Sequence, residues 1–188
     1  RWYLQKEYSD KFEPSIISRN NLMNNDITYL NYQSSRNTDI LQEYFIPVEN
    51  LPEFVDGLRD VVKKYDLNLL SSTIRHLPAT KESFLSFSPK ESYGFVLYFN
   101  VGLSEKEQEK AEKWTRELTE VVLANNGTYY LPYKLYASQE QIQRAYPQID
   151  DFFDKKRQYD SEELFMSKFY AKYALGEDFC REKLGLTD

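Results

Sequence analysis

The stretch Tyr93-Gly-Phe-Val-Leu-Tyr-Phe-Asn-Val101 alternates apolar side chains with a mixed set. Successive side chains of a strand point to opposite faces of a sheet. One face of a strand here would carry Phe95, Leu97 and Phe99, which suit a core covered by helices. Tyr98 and Asn100 would share the other face. The stretch therefore predicts a strand that buries one face and leaves a polar face on the other side.

Around this strand, the hydrophobic pattern predicts three more strands and two helices. The strands cover residues 41–48, 68–76 and 128–136, and apolar residues recur at helical spacing over residues 51–62 and 111–122. The chain order is β-α-β-β-α-β, which is ferredoxin-like. We therefore predict an α+β fold, in which an antiparallel sheet carries both helices on one face and a helical extension follows at the C-terminus.

Helix-capping pairs support these boundaries. In each pair a Ser or Asn precedes a Glu or Gln by three residues: Asn50 and Glu53, Ser104 and Glu107, and Ser138 and Gln141. The predicted organisation is a polar lead-in at residues 1–40, a β-α-β-β-α-β domain at residues 41–136, and a helical extension at residues 137–188. The chain begins without Met, and we expect it to be a piece of a longer protein.

Composition excludes several classes of function. The net charge is −6 and no basic stripe occurs, so nucleic-acid binding is not expected. A single cysteine excludes an internal disulfide, and a single histidine excludes a multi-histidine metal site. No transmembrane segment is expected, because no apolar run approaches the roughly 20 residues that span a bilayer. Without a signal peptide, we expect a cytoplasmic protein and leave peripheral membrane contact open.

Arg75 is a charge inside the predicted strand at residues 68–76. A guanidinium stays charged at any ordinary pH and offers five donors, so at mid-strand it needs a partner. Either Arg75 closes a structural ion pair, or it faces a cavity that receives a ligand. His76 has the opposite parity and is expected to face the helices or the strand end.

Strand parity gathers other polar residues with Arg75. Thr73 shares its face, and helices cover only one side of such a sheet. The residues expected on the open side are Thr73, Arg75, Tyr98, Asn100 and Lys134. They would form a floor for an electron-rich ligand. The alternative is an ordinary exposed sheet face, on which Arg75 and Lys134 pair with Asp or Glu.

Four segments, in order, resemble the C-terminal cap domain of FAD-linked oxidases of the vanillyl-alcohol oxidase type. The relevant branch holds alditol and aldonolactone oxidases, decaprenylphosphoryl-ribose oxidase and the sterol side-chain reductase. Thr73-Ile74-Arg75 resembles the Glu-Ile-Arg strand of alditol oxidases, Tyr98-Phe99-Asn100 their His-Phe-Thr strand, and Leu131-Pro132-Tyr133-Lys134 their His-Trp-Gly-Lys segment. The fourth segment, from Ala145-Tyr146-Pro147 to Phe169, resembles their C-terminal tail.

The resemblance implies an FAD-dependent oxidoreductase that transfers hydride from a small-molecule alcohol, of the polyol, sugar or lactone type, to flavin. Arg75 and Lys134 would then be catalytic residues that face the flavin and the substrate. The implied substrate-binding residues are Thr73, Tyr98, Asn100, Tyr130 and Tyr133. The resemblance also implies that an N-terminal FAD-binding domain of the same polypeptide is missing here, so that this piece would be inactive alone and residues 1–40 would lead in from that domain.

Two residues depart from the family pattern. Thr73 replaces a carboxylate, which puts recognition of several hydroxyls in doubt, and Tyr98 replaces a histidine, which would make a weak base at that point. In a second register, Tyr133 rather than Lys134 takes the cationic position and Tyr130 matches a family tyrosine; we favour Lys134, the cation present. A free-standing ferredoxin-like module for binding or oligomerisation, without catalysis, is the alternative to the whole assignment.

Overall fold

The computed structural model describes residues 34–176. Most of the predicted lead-in at residues 1–40 and the last twelve residues of the predicted extension therefore lie outside the described part of the chain. Within the described part, no helix is both long and apolar enough to cross a membrane.

The elements follow the predicted order. In chain order they are β1 (Asn37–Pro47), a 3-10 turn (Val48–Asn50), α1 (Leu51–Tyr65), β2 (Asn68–Leu77), β3 (Ser92–Gly102), α2 (Glu105–Ala124) and β4 (Thr128–Tyr129). The extension comprises α3 (Gln139–Ala145), α4 (Ile149–Tyr159) and α5 (Lys168–Tyr170), which continues as a π-helical turn at Ala171–Leu175. The sheet order is β2-β3-β1-β4 with antiparallel pairs. The predicted α+β class and the predicted element order are confirmed.

Both long helices pack on one face of the sheet. The rings of Phe54 on α1 and Phe95 on β3 lie 4.9 Å apart, and those of Trp114 on α2 and Phe99 on β3 lie 4.8 Å apart. All four side chains are almost fully buried. The alternation within residues 93–101 therefore directs the odd-numbered side chains of β3 into the helical core and leaves the even-numbered ones on the other face, which we call the open face.

The fourth strand is much shorter than predicted. β4 ends at Tyr129 instead of residue 136, and Tyr130 adds one more backbone hydrogen bond, to the carbonyl of Glu43. A turn follows at residues 131–133. Pro132 has no N–H to donate to a strand partner, which favours this early end. The strand parity that we assigned to Lys134 is therefore wrong.

Two of the three predicted helix caps form. Ser104 accepts a hydrogen bond from the backbone N–H of Glu107, and Ser138 forms a complete capping box with Gln141. Asn50 precedes α1 but does not cap it with its side chain, contrary to prediction. The chain enters α1 through the 3-10 turn, which holds Asn50 at φ −101° and ψ 8°, outside the extended conformation usual for a capping residue.

The loop between β2 and β3 folds over one end of the open face. The ring of Phe87 packs against that of Phe45 on β1, with centroids 4.6 Å apart, and the carbonyl of Phe87 accepts a hydrogen bond from the hydroxyl of Thr128. The side chains of Leu77 and Phe45 also close over Gly94, where a Cβ would lie 3.0 Å from Leu77. This end of the face is therefore walled.

Candidate functional site

The register of the strands places the predicted polar residues on the open face. Thr73 pairs with Val96, and Val96 pairs in turn with Glu43 of β1. Arg75 pairs with Gly94 in the next row of the same face. Because paired residues point to the same side of a sheet, Glu43 shares this face with Thr73 and Arg75.

Arg75 is exposed on this face. Its charge acts on Glu43, whose carboxyl pKa is raised by burial and partly lowered again by the guanidinium. No salt bridge within 4.0 Å joins Arg75 to another described residue. Of the two possibilities set out for Arg75, a close structural ion pair is thus absent from the described residues, and a longer-range attraction to Glu43 is present.

Tyr130 and Tyr133 flank the same charges. Their rings lie 5.1 Å apart, and the ring of Tyr130 meets that of Phe45 edge-on. Burial raises the pKa of the Tyr133 phenol, Glu43 and Tyr130 raise it further, and Arg75 lowers it. Both tyrosines therefore line the β4 side of the open face.

Tyr98 and Asn100 form a second polar group at the other end of the face. The hydroxyl of Tyr98 donates to one carboxylate oxygen of Asp39 at 3.0 Å, and the amide of Asn100 donates to the other at 2.6 Å. The carbonyl oxygen of Asn100 also accepts from Asn37 at 3.0 Å. Burial, and then Asp39, raise the pKa of Tyr98. These polar groups already have partners within the chain.

Lys134 lies with the helices, not on the open face. Its ammonium is 3.4 Å from the amide oxygen of Gln108 on α2, and 5.6 Å from the centre of the Tyr136 ring, which is buried. The cause is the early end of β4, since the chain after the turn runs along α2. Of the two residues considered for this position, Tyr133 lies within electrostatic range of Arg75, whereas Lys134 contacts Gln108 and Tyr136.

His76 faces the strand end, as its parity predicts. Its Nε2 atom lies 2.7 Å from a carboxylate oxygen of Glu91, and its ring meets Tyr93 edge-on. Both partners lie at the beginning of β3 or just before it. His76 is therefore accounted for by structural contacts and does not reach Arg75's side of the sheet.

Sequence reasoning missed Asp39 and Glu43. β1 begins at Asn37, four residues before the predicted start, so Asp39 falls inside the strand. The signal was present: the acidic residues alternate with Ile40, Gln42 and Tyr44, which are buried on the helix side. Parity applied to β1, as it was to the other strands, places both carboxylates on the open face.

The open face thus offers one exposed guanidinium, a half-buried carboxylate near it, and phenols on two sides. Such a surface can donate to and accept from a polyhydroxylated ligand, and it can stabilise negative charge through Arg75. A model of the D-arabinono-1,4-lactone oxidase family matches residues 6–173. No curated protein matches the chain.

Proposed function

The chain belongs to the D-arabinono-1,4-lactone oxidase family, and from this premise we propose that it is the substrate-binding cap domain of an FAD-dependent oxidoreductase. The match covers most of the chain and supports an aldonolactone-oxidase-type, FAD-linked oxidase C-terminal domain. The proposed reaction oxidises an alcohol of the polyol, sugar or lactone type. The FAD-binding domain of the same polypeptide would complete the site, and this piece would be inactive alone.

The observation that carries the proposal is Arg75. A guanidinium in mid-strand, exposed on a sheet face that the long helices leave open, fits a group that becomes negatively charged during reaction. FAD, when bound, accepts the hydride that leaves the substrate carbon. In this proposal Arg75 lies against the flavin ring and the substrate, and its fixed charge stabilises the negative charge that accumulates there.

Residues around Arg75 would bind the substrate. Thr73 is exposed beside it, and Tyr130 and Tyr133 form the wall on the β4 side. Tyr98 and Asn100 bind hydroxyls less directly, because Asp39 already occupies their donors. The carboxylate of Asp39, held rigidly by these two donors, would present its remaining lone pairs to the ligand.

Lys134 is a weaker candidate in this proposal than the resemblance implied. Its contacts with Gln108 and Tyr136 hold it beside α2. Tyr133, which shares the electrostatic surroundings of Arg75 and Glu43, is therefore assigned the position next to the flavin.

The experiment is to purify the intact protein and ask whether it carries FAD and oxidises alcohols. We expect a yellow protein whose flavin is bleached under anaerobic conditions by D-arabinono-1,4-lactone or another polyhydroxylated alcohol. Reoxidation by oxygen and by a quinone can be compared in the same preparation. An intact protein that folds but is colourless and binds no FAD would contradict the proposal and favour a non-catalytic binding module.

A further inference from the structure

Glu43 differs from Asp39, the other acidic residue of the open face, because none of the described residues places a donor within hydrogen-bond distance of its carboxylate. Asp39 accepts hydrogen bonds from Tyr98 and Asn100, so two of its lone pairs are occupied. Among the described residues, none forms a salt bridge within 4.0 Å with the carboxylate of Glu43. Glu43 is nevertheless half-buried in the middle of the sheet. A partly desolvated carboxylate with free lone pairs is suited to accept a proton.

Each neighbouring element contributes to the surroundings of Glu43. β3 places the apolar Val96 beside it, and β2 contributes Arg75, the cation that acts on it. The segment after β4 contributes Tyr133, whose phenol responds to Glu43, and Tyr130, whose backbone N–H donates to the carbonyl of Glu43. Partial burial disfavours the charged form of the carboxylate, while Arg75 favours it.

We propose that Glu43 accepts the proton of the substrate hydroxyl that is oxidised. This inference rests on the proposed function. The O–H bond of the alcohol breaks and its proton bonds to a carboxylate oxygen of Glu43. The neighbouring C–H bond breaks and its electron pair leaves as hydride, which bound FAD would accept, while the carbon–oxygen double bond forms. The alcohol becomes a carbonyl compound, and the proton stays on the protein until solvent removes it.

Arg75 and Glu43 then have complementary tasks on one face. The guanidinium of Arg75 stabilises the negative charge that develops during hydride transfer, and the carboxylate of Glu43 accepts the proton of the hydroxyl group. The two side chains lie on strands separated by β3, across Gly94 and Val96. This separation allows both to reach one ligand without closing an ion pair with each other.

The test compares Glu43→Gln with Glu109→Gln, an exposed glutamate on α2, in the intact protein. Removing a general base costs about 10²–10⁴-fold in rate. We expect that loss in the kcat of Glu43→Gln with D-arabinono-1,4-lactone, or with whichever alcohol bleaches the wild type, and little change in KM. The fall of kcat at low pH, expected in the wild type from protonation of Glu43, should be absent in Glu43→Gln. Glu109→Gln should match the wild type.

A second readout does not depend on turnover. 3-Fluorotyrosine at position 133, followed by ¹⁹F NMR, reports the ionisation of that phenol. Glu43→Gln should lower its pKa and Arg75→Met should raise it, because the carboxylate repels the phenolate and the guanidinium attracts it. An unchanged phenol pKa in both variants would overturn the arrangement on which the inference depends.

The outcomes separate the two proposals. If the wild type neither binds FAD nor oxidises an alcohol, the proposed function fails and this inference fails with it. If the wild type is active and Glu43→Gln retains its kcat and the fall of kcat at low pH, only the inference about Glu43 is overturned. The FAD content of every variant is measured as well, to distinguish a loss of catalytic rate from a loss of bound cofactor.

Discussion

At the scale of single residues, position in a strand proved more informative than residue type. The permanent charge of Arg75 in mid-strand needs an explanation. Lys134 shares its face only if the last strand continues to residue 136. The strand ends at Tyr129, and the cation turns to α2. The phenol of Tyr133 lies within electrostatic range of Arg75 and Glu43.

Paired substitutions of Tyr133 and Lys134 test this reassignment. We expect Tyr133→Phe to lower kcat/KM about tenfold, since it removes one hydrogen bond of roughly 1.4 kcal/mol to the ligand. Lys134→Met should change kcat/KM by less than about twofold, because its ammonium contacts Gln108 at the far side of the sheet. Steady-state kinetics on the intact protein decide between them, and the reverse ranking would restore Lys134 to the site.

Glu43 should also leave a signature in stability. Its pKa is raised in the folded protein, mainly by burial. The folded state thus favours the neutral carboxyl, and that advantage is lost as the pH rises through the folded pKa. We expect Glu43→Gln to raise the Tm at neutral pH and to match the wild type well below pH 4.5, the ordinary value for this group. Glu109→Gln is the control. A Tm for Glu43→Gln below that of the wild type at neutral pH would contradict the raised pKa.

At the scale of elements, strong alternation was predictable and short pairing was not. β2 and β3 agree with prediction to within one residue at each end. The start of β1 was missed because polar residues precede Leu41, and a strand with one polar face looks like a loop until parity is applied to it. β4 was overestimated because a run of tyrosines favours strand in isolation, whereas Pro132 and the turn at residues 131–133 end the pairing.

The helix face also contains a buried polar contact that alternation alone could not predict. Gln42 and Thr115 are both buried, and the amide of Gln42 donates to the hydroxyl of Thr115 at 2.7 Å. The amide oxygen of Gln42 accepts from Tyr44. This contact ties β1 to α2 and orients the strand whose other face carries Glu43.

Thr115→Val tests the importance of that contact. Valine keeps the shape but leaves the buried amide of Gln42 without its acceptor, which costs about 1–3 kcal/mol. We expect a loss of that size in the free energy of unfolding, measured by urea denaturation. Thr115→Ser, which keeps the hydroxyl, should lose less than Thr115→Val. A Thr115→Val variant as stable as the wild type would contradict the importance of this hydrogen bond.

At the scale of the whole molecule, the helical extension packs on the sheet domain through side chains that few sequence patterns reveal. The hydroxyl of Tyr146 donates to the carbonyl of Tyr129, and Gln141 of α3 donates to Glu120 of α2 at 2.7 Å. The extension has an apolar cluster of its own, centred on Ile149 and Phe153. These contacts support β4 from the helix side and hold the segment that carries Tyr130 and Tyr133.

The two faces of the sheet differ in how much the sequence reveals about them. One face packs against the helices, and its periodic apolar residues are predictable. The open face carries no such apolar periodicity, and its polar side chains contact one another, as Asp39 does with Tyr98 and Asn100. Arg75 is conspicuous as a charge within a predicted strand, and parity adds Thr73 to its face. The electrostatic influence of Arg75 on Glu43 depends on the strand order β2-β3-β1, which the sequence pattern does not give.

The most direct test of the central claim, that Arg75 faces the flavin and the substrate, is the rate of anaerobic flavin reduction by the alcohol substrate in the intact protein. Arg75→Met is compared with Arg59→Met, a matched loss of an exposed arginine on α1. We predict that Arg75→Met slows reduction by about 10²–10³-fold, the usual effect of removing a group that stabilises developing charge, and that Arg59→Met reduces at the wild-type rate. Flavin reduction at the wild-type rate in Arg75→Met would contradict the account.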